Sequence, residues 1–262
     1  MSVKHLFWVF LNYYGRVFGR GFMITFHHVL LNMALHGLGF DNVKGTGEKW
    51  FIESVLAKKD IKVCLDIGAN VGNYSVWLLD HLDCVVYAME PMPSSFESLQ
   101  KLSRQMPDKL IPINAAASNE IGVAQIFFTS DFSETATLDA RVLRAGVSKS
   151  EHTITTTTVD SFVTSKKLGR IDFVKIDTEG YEREVLLGMQ NTIAQFRPHY
   201  IQFEFNIMHL HRNYTLLSLS ELLPNYDLYR LLPHGWTLVD PEKFSTNIYM
   251  FSNYVAVLRR TA

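Results

Sequence analysis

The sequence predicts an α/β domain with a doubly wound, largely parallel sheet. Three observations carry that prediction. From residue 61 onward, short β-rich runs alternate with amphipathic stretches of helical period. The apolar run at 61–67 ends in a glycine turn that opens a helix, and the apolar run at 171–176 ends in Asp177-Thr178-Glu179-Gly180 before another. The chain of 262 residues is 47% hydrophobic, enough for one substantial core plus an attachment. The expected organisation is a helical, aromatic-rich extension at 1–44 and one domain at 45–262.

In chain order, a buried strand is expected at 61–67 and a helix at 73–81. A strand follows at 84–90, then a helix at 94–106 with Pro91 and Pro93 at its entry. Residues 110–116 read as a strand and 125–129 as a hairpin arm. The polar stretch 131–151 reads as a loop or lid over a site. A strand is expected at 153–159, with Asp160 placed to cap the short helix after it. Beyond the strand at 171–176, one helix is expected over 181–196 and a strand at 200–205. Residues 216–223 read as helix, 226–232 as extended and 254–258 as a last strand.

Net charge is -1 and the pI about 6.8, so no basic field points to nucleic acid as a partner. Cys64 and Cys84 lie inside strand-like runs, where cysteine is a small buried hydrophobe. They imply a reducing, cytoplasmic setting. The first forty residues differ from the rest: nine aromatics, Lys4, Arg16 and Arg20 as full charges, and no acid. No run there approaches the roughly 20 apolar residues needed to span a bilayer, and no signal-peptide cleavage pattern follows a single apolar core. The expected role is a helical cover over the main domain or over a second subunit in a homo-oligomer. The alternative is a basic, aromatic interfacial helix, peripheral at the inner membrane face.

The strongest local signal is Asp66-Ile67-Gly68-Ala69-Asn70-Val71-Gly72, between a strand and a helix. Gly68 and Gly72 permit a sharp turn and close approach of a ligand. The next strand ends in Glu90, 18 residues beyond Gly72, where a carboxylate can accept both hydroxyls of a ribose. Asn114 closes the third strand, where it or its neighbours' backbone would face an adenine edge. A dinucleotide fingerprint requires a middle glycine, yet Asn70 stands there, and Asp66 would repel a pyrophosphate. An acid at that point suits a ligand carrying an ammonium and a sulfonium. A nicotinamide oxidoreductase and a non-catalytic binding protein are the competing classes.

These residues resemble the FkbM-type methyltransferase family in VCLDIGANVGNYS (63–75), VVYAMEP (85–91), NAAAS (114–118) and VDSF…IDFVKIDTEGYEREVLLGM (159–189), with GEKWFIESVL (47–56) ahead of them. The resemblance covers roughly 45–205. It implies a class I methyltransferase fold: a Rossmann-like, seven-stranded, mostly parallel sheet with helices on both faces and the last strand antiparallel. It implies S-adenosylmethionine as donor, held by Asp66, Gly68, Asn70, Gly72, Glu90, Pro91, Asn114 and Ala115. It also implies O-methylation of a sugar hydroxyl in a glycan or glycolipid, including lipid-linked acceptors.

A sugar hydroxyl is a weak nucleophile, so a base or a metal should assist it. Asp177 with Glu179, and Glu204 followed by His209 and His211, stand at strand ends where open α/β sheets bind ligands. Asp177 and Glu179 also have a plain reading as acids at a helix start. Glu204 lies in the apolar run YIQFEFNI and needs a partner or a role. Asp177, Glu179 and Glu204 together are also candidate ligands for a divalent ion such as magnesium. Beyond a base role for one of the histidines, the pair reads as exposed polar residues.

Overall fold

The computed structural model describes residues 3–19, 21–24, 26–27, 30, 46–129, 132–139, 149–243, 246–247, 249 and 251–259. Helix α1 (Val3–Phe18) begins the chain. Helix α2 (Glu48–Ser54) buries Phe51 and Ile52 on the main domain. Strand β1 (Val63–Ile67), helix α3 (Asn73–His81), strand β2 (Val85–Met89), helix α4 (Pro93–Ser103) and strand β3 (Leu110–Ile113) form the first parallel units. Strand β4 (Ala116–Ala117) turns away from this sheet to pair with β7 (Lys149–Thr157), which also pairs with β5 (Gly122–Thr129). Strand β6 (Phe132–Thr137) completes that second sheet.

Helix α5 (Val159–Ser165) leads to β8 (Phe173–Ile176), helices α6 (Glu182–Leu187) and α7 (Gln190–Phe196), and β9 (Tyr200–Phe205). Helices α8 (Ile207–His211) and α9 (Leu216–Ser220) precede β10 (Tyr226–Leu232), β11 (Gly235–Leu238) and β12 (Ser252–Leu258). Among the described residues the main sheet has the order β11-β10-β12-β9-β8-β1-β2-β3. From β3 to β9 it is parallel, while β12 runs antiparallel to both neighbours, β9 and β10. Its faces carry apolar clusters, one around Leu65, Ile176 and Phe203 and the other around Phe51, Leu78 and Phe173. The central strands β8 and β9 are buried throughout, as expected of a parallel sheet covered on both sides.

Several expectations need correction. Among the described residues the sheet has eight strands rather than seven, because the chain after β10 folds back as β11 (Gly235–Leu238). Part of the expected loop at 131–151 is β6 and the start of β7; residues 130–131 and 140–148 lie outside the described ones. Thr158, not Asp160, caps α5, its hydroxyl accepting from the Ser161 N–H at 3.0 Å. Asp160 reaches across to α7 and accepts from the N–H groups of Asn191 and Thr192 at 3.1 and 2.7 Å. The helix expected over 181–196 is two, broken at Gly188, where any Cβ would sit 2.0 Å from the Ser118 carbonyl oxygen.

Candidate active site

Parallel strands all deliver their C-terminal ends to one edge of a sheet, so the tips of β1, β2 and β8 meet there. A cleft open to solvent lies at that edge. Gly68, Asn70, Glu90, Pro91, Ala115, Asp177 and Glu179 line it together with Met89, Ile126, Leu138 and Tyr181. The second sheet, through Ile126, Ala136 and Leu138, forms the wall opposite the strand tips.

The glycine turn is held by its neighbours. Gly68 and Ala69 donate to the Met89 carbonyl at 3.0 Å. At Gly68, φ is 82° and a Cβ would fall 1.7 Å from the Asp177 carbonyl oxygen, so no side chain fits between the tips of β1 and β8. Gly72 serves the packing of the helices instead. It starts α3 with φ 92°, and a Cβ there would press on Leu99 and Leu102 of α4. It does not line the cleft.

Glu90 accepts the Asn70 N–H at 2.9 Å and the Met92 N–H at 2.7 Å, one through each carboxylate oxygen. Burial pushes its carboxyl up to about 7 despite these two donors. Each oxygen keeps lone-pair capacity toward the cleft.

The remaining expected ligand contacts are distributed differently. Asp66 is fully buried behind the turn, where one oxygen accepts the Ser75 hydroxyl at 2.6 Å. It reaches the cleft only through the turn it braces. Asn114 is exposed beyond the tip of β3 and off the cleft wall, while Ala115 to Ala117 supply that wall with small apolar surface.

Asp177 lies at the tip of β8, 31% exposed, and its carboxylate accepts the Lys175 ammonium at 2.7 Å. It does not cap the helix that follows. Tyr181 stands at the N-cap without a side-chain cap bond, and Glu182, the first helical residue, folds back on the loop to accept from the N–H groups of Thr178 and Gly180 at 2.9 and 3.3 Å. Burial opposes the charge of Lys175, but the carboxylates of Asp177, Glu48 and Asp66 outweigh it and raise its pKa. The same ammonium lies 4.5 Å from the centre of the Tyr74 ring. Tyr74 donates to Gln202 at 2.7 Å, and Gln202 donates to Glu48 at 2.8 Å. Glu48, Tyr74 and Lys175 border a second cavity, on the α2 side of the turn, that shares Gly68, Asn70 and Asp177 with the cleft and adds Asn73 and Trp77.

Glu179 enters the cleft wall from a left-handed backbone at φ 53°, followed by Gly180 at φ 92°. The loop is tied on both sides: Thr137 donates to the Glu179 carbonyl at 3.0 Å and Arg212 to the Gly180 carbonyl at 2.6 Å. Glu204, at the end of β9, is buried and off the cleft wall, with Asn206 donating to it. Burial, and then the negative charges of Asp177, Glu179 and Glu182, push its carboxyl well above the usual carboxylate range.

His209 corrects the expectation of an exposed pair. It is fully buried with Nε2 2.9 Å from Glu182, while Nδ1 accepts the Asn206 N–H. His211 is exposed. Among the described residues, no three His, Cys, Asp or Glu side chains gather as a metal site would require.

Sequence reading missed Glu48, Gln202 and Arg212. Arg212 is buried and ties Asp139 at 3.1 Å and Glu184 at 3.0 Å to the Gly180 carbonyl. A guanidinium in this environment needs several acceptors, yet none of its partners is near it in sequence.

Hexuronic acid methyltransferase AglP of Haloferax volcanii is 26% identical over 192 residues, which cover 69% of this chain and 74% of that protein. Among solved structures, the O-methyltransferase from Bacillus cereus in complex with SAH shares 14% identity, covers 95% of this chain and 96% of its own, and superposes with a TM-score of 0.47. Precorrin-6y C5,15-methyltransferase from Geobacter metallireducens GS-15 shares 12% identity, with coverage of 81% and 88% and a TM-score of 0.43. The Methyltransferase FkbM domain profile matches residues 66–223. That span contains the glycine turn, Glu90, Asp177 and Glu204, sets aside the nicotinamide reading, and shows that the chain belongs to the FkbM methyltransferase family.

Proposed function

We propose that the protein transfers a methyl group from S-adenosylmethionine to a hydroxyl of a sugar, with uronic-acid-containing glycans as the first acceptors to test. One observation carries this reading: a doubly hydrogen-bonded carboxylate, Glu90, and an ion-paired carboxylate, Asp177, face one cleft from the two sides of a glycine turn. The residues fit the donor. Glu90 would accept the ribose hydroxyls, Asn70 and Pro91 flank it, and Ala115 to Ala117 with Ile126 and Leu138 offer an apolar slot of nucleobase character. When bound, the donor supplies an electrophilic methyl group on a sulfonium.

Asp177 accepts the proton that the acceptor hydroxyl loses, and Lys175 fixes the direction of its carboxylate. Glu179 faces the same space and is suited to accept a neighbouring sugar hydroxyl. Glu204 stands behind them, its carboxyl held well above the usual range by burial. The likeness to a hexuronic acid methyltransferase supports the choice of acceptor class.

Calorimetry tests the donor: Glu90→Ala should weaken S-adenosylmethionine binding by about 1–3 kcal/mol while the fold is kept. Unchanged affinity would remove Glu90 from the site. A mass-spectrometric screen of uronic-acid and neutral glycans for the gain of one methyl group tests the acceptor, and a screen with no methylated hydroxyl would overturn the sugar assignment.

A further inference from the structure

We infer that helix α1 is a membrane-surface anchor that lays an apolar face on an anionic bilayer. This inference is independent of the acceptor assignment. Projected at about 100° per residue, α1 divides into two arcs. Tyr13, Leu6, Val17, Phe10, Phe7 and Leu11 fall within one arc of roughly 160°. Lys4, His5, Asn12 and Arg16 fall on the other, with Trp8 and Val9 among them.

The apolar arc is not packed on the catalytic domain. Leu6 is 55% exposed, Phe7 58%, Phe10 59% and Tyr13 68%. Tyr14 hydrogen-bonds His27 of the following segment and meets its ring edge-on. Phe22 and Phe26 beyond it are exposed as well. The expected cover over the domain is therefore absent among the described residues of this segment.

Charge selects the occupant. Residues 1–40 hold Lys4, Arg16 and Arg20 and no acid, within a chain whose net charge is -1. Such a segment is attracted to anionic headgroups, and its acyl-facing side offers bulky aromatics. Three basic residues alone do not hold a protein on a membrane, so insertion of the apolar arc must supply the rest. No described helix is long and apolar enough to cross a bilayer, which fits a helix lying in the interface.

The test uses the full chain with vesicles of phosphatidylglycerol and phosphatidylcholine, and with vesicles of phosphatidylcholine alone. Co-sedimentation should occur with the anionic vesicles, fall several-fold in high salt, and be weak on the neutral ones. Phe7→Glu with Phe10→Glu should reduce binding at least tenfold while circular dichroism and S-adenosylmethionine binding stay unchanged. Lys4→Glu with Arg16→Glu should remove the preference for anionic lipid, and Trp8→Ser, on the polar arc, should change little. A full chain that ignores anionic vesicles would overturn the inference. So would a wild-type dimer that Phe7→Glu with Phe10→Glu converts to monomer, since the arc then covers a second copy.

Discussion

The tips of β8 and β9 carry two carboxylates in opposite circumstances. Asp177 on β8 is partly exposed and bonded to an ammonium, while Glu204 on β9 is buried with an amide as its partner and other acids around it. Burial and the surrounding acids hold the Glu204 carboxyl well above the usual carboxylate range, whereas Asp177 keeps a cation within hydrogen-bond distance and partial access to solvent. Lys175 creates the difference. It belongs to the same strand as Asp177, two residues earlier, so both side chains point to one face and meet.

The comparison is broken most severely at Lys175. Lys175→Met removes the cation from Asp177, Glu48 and Asp66 and should cost about 3–5 kcal/mol in urea unfolding. A loss below about 1 kcal/mol would show that the carboxylates do not depend on it.

Glu90 is next. Its carboxyl rises from the ordinary 4.5 to about 7 on folding, so the folded state holds the proton more tightly. Stability of the free protein should therefore be greatest below pH 4.5 as far as this group is concerned, and fall by about 3 kcal/mol as pH climbs through 7. Unfolding curves at a series of pH values should lose that slope in Glu90→Gln, and donor affinity of the wild type should rise over the same window.

Asp177→Asn should keep fold and donor binding and reduce turnover about a hundredfold, roughly 2.7 kcal/mol. A near-normal rate across pH would move the base elsewhere. Glu204→Gln sharpens the contrast with the smallest effect at acid pH. Below about pH 4.5 the acid carries its proton in the folded and the unfolded chain, so its amide should change stability by less than about 1 kcal/mol there, and the variant should gain on the wild type as pH rises.

The parallel strands and the turn were legible because their signals are local. Residues 73–81, 200–205 and 226–232 were read with the bounds the structure shows, since an apolar run between a turn and a helix has few other solutions. Of the second sheet, 125–129 and 153–157 were legible as extended runs, while β6 and their joining into one sheet were not, because that pairing crosses a long stretch of chain. In the site, Gly68, Asn70, Glu90, Pro91, Ala115, Asp177 and Glu179 were named from sequence and meet in one cleft. Glu48 was not, because its partners Gln202 and Lys175 lie more than a hundred residues away.

The sequence by itself determined the order of strands and helices, the glycine turn and the acids at the strand tips, because each is written in a short window of residue types. Only the tertiary structure decided which of those groups face the cleft. Asp66 and Gly72 turn inward to brace the fold, His209 is buried against Glu182, and Lys175 is shared among acids from three elements. Which charges neutralise one another depends on distance in space, and a linear chain leaves that undetermined until the sheet closes around them.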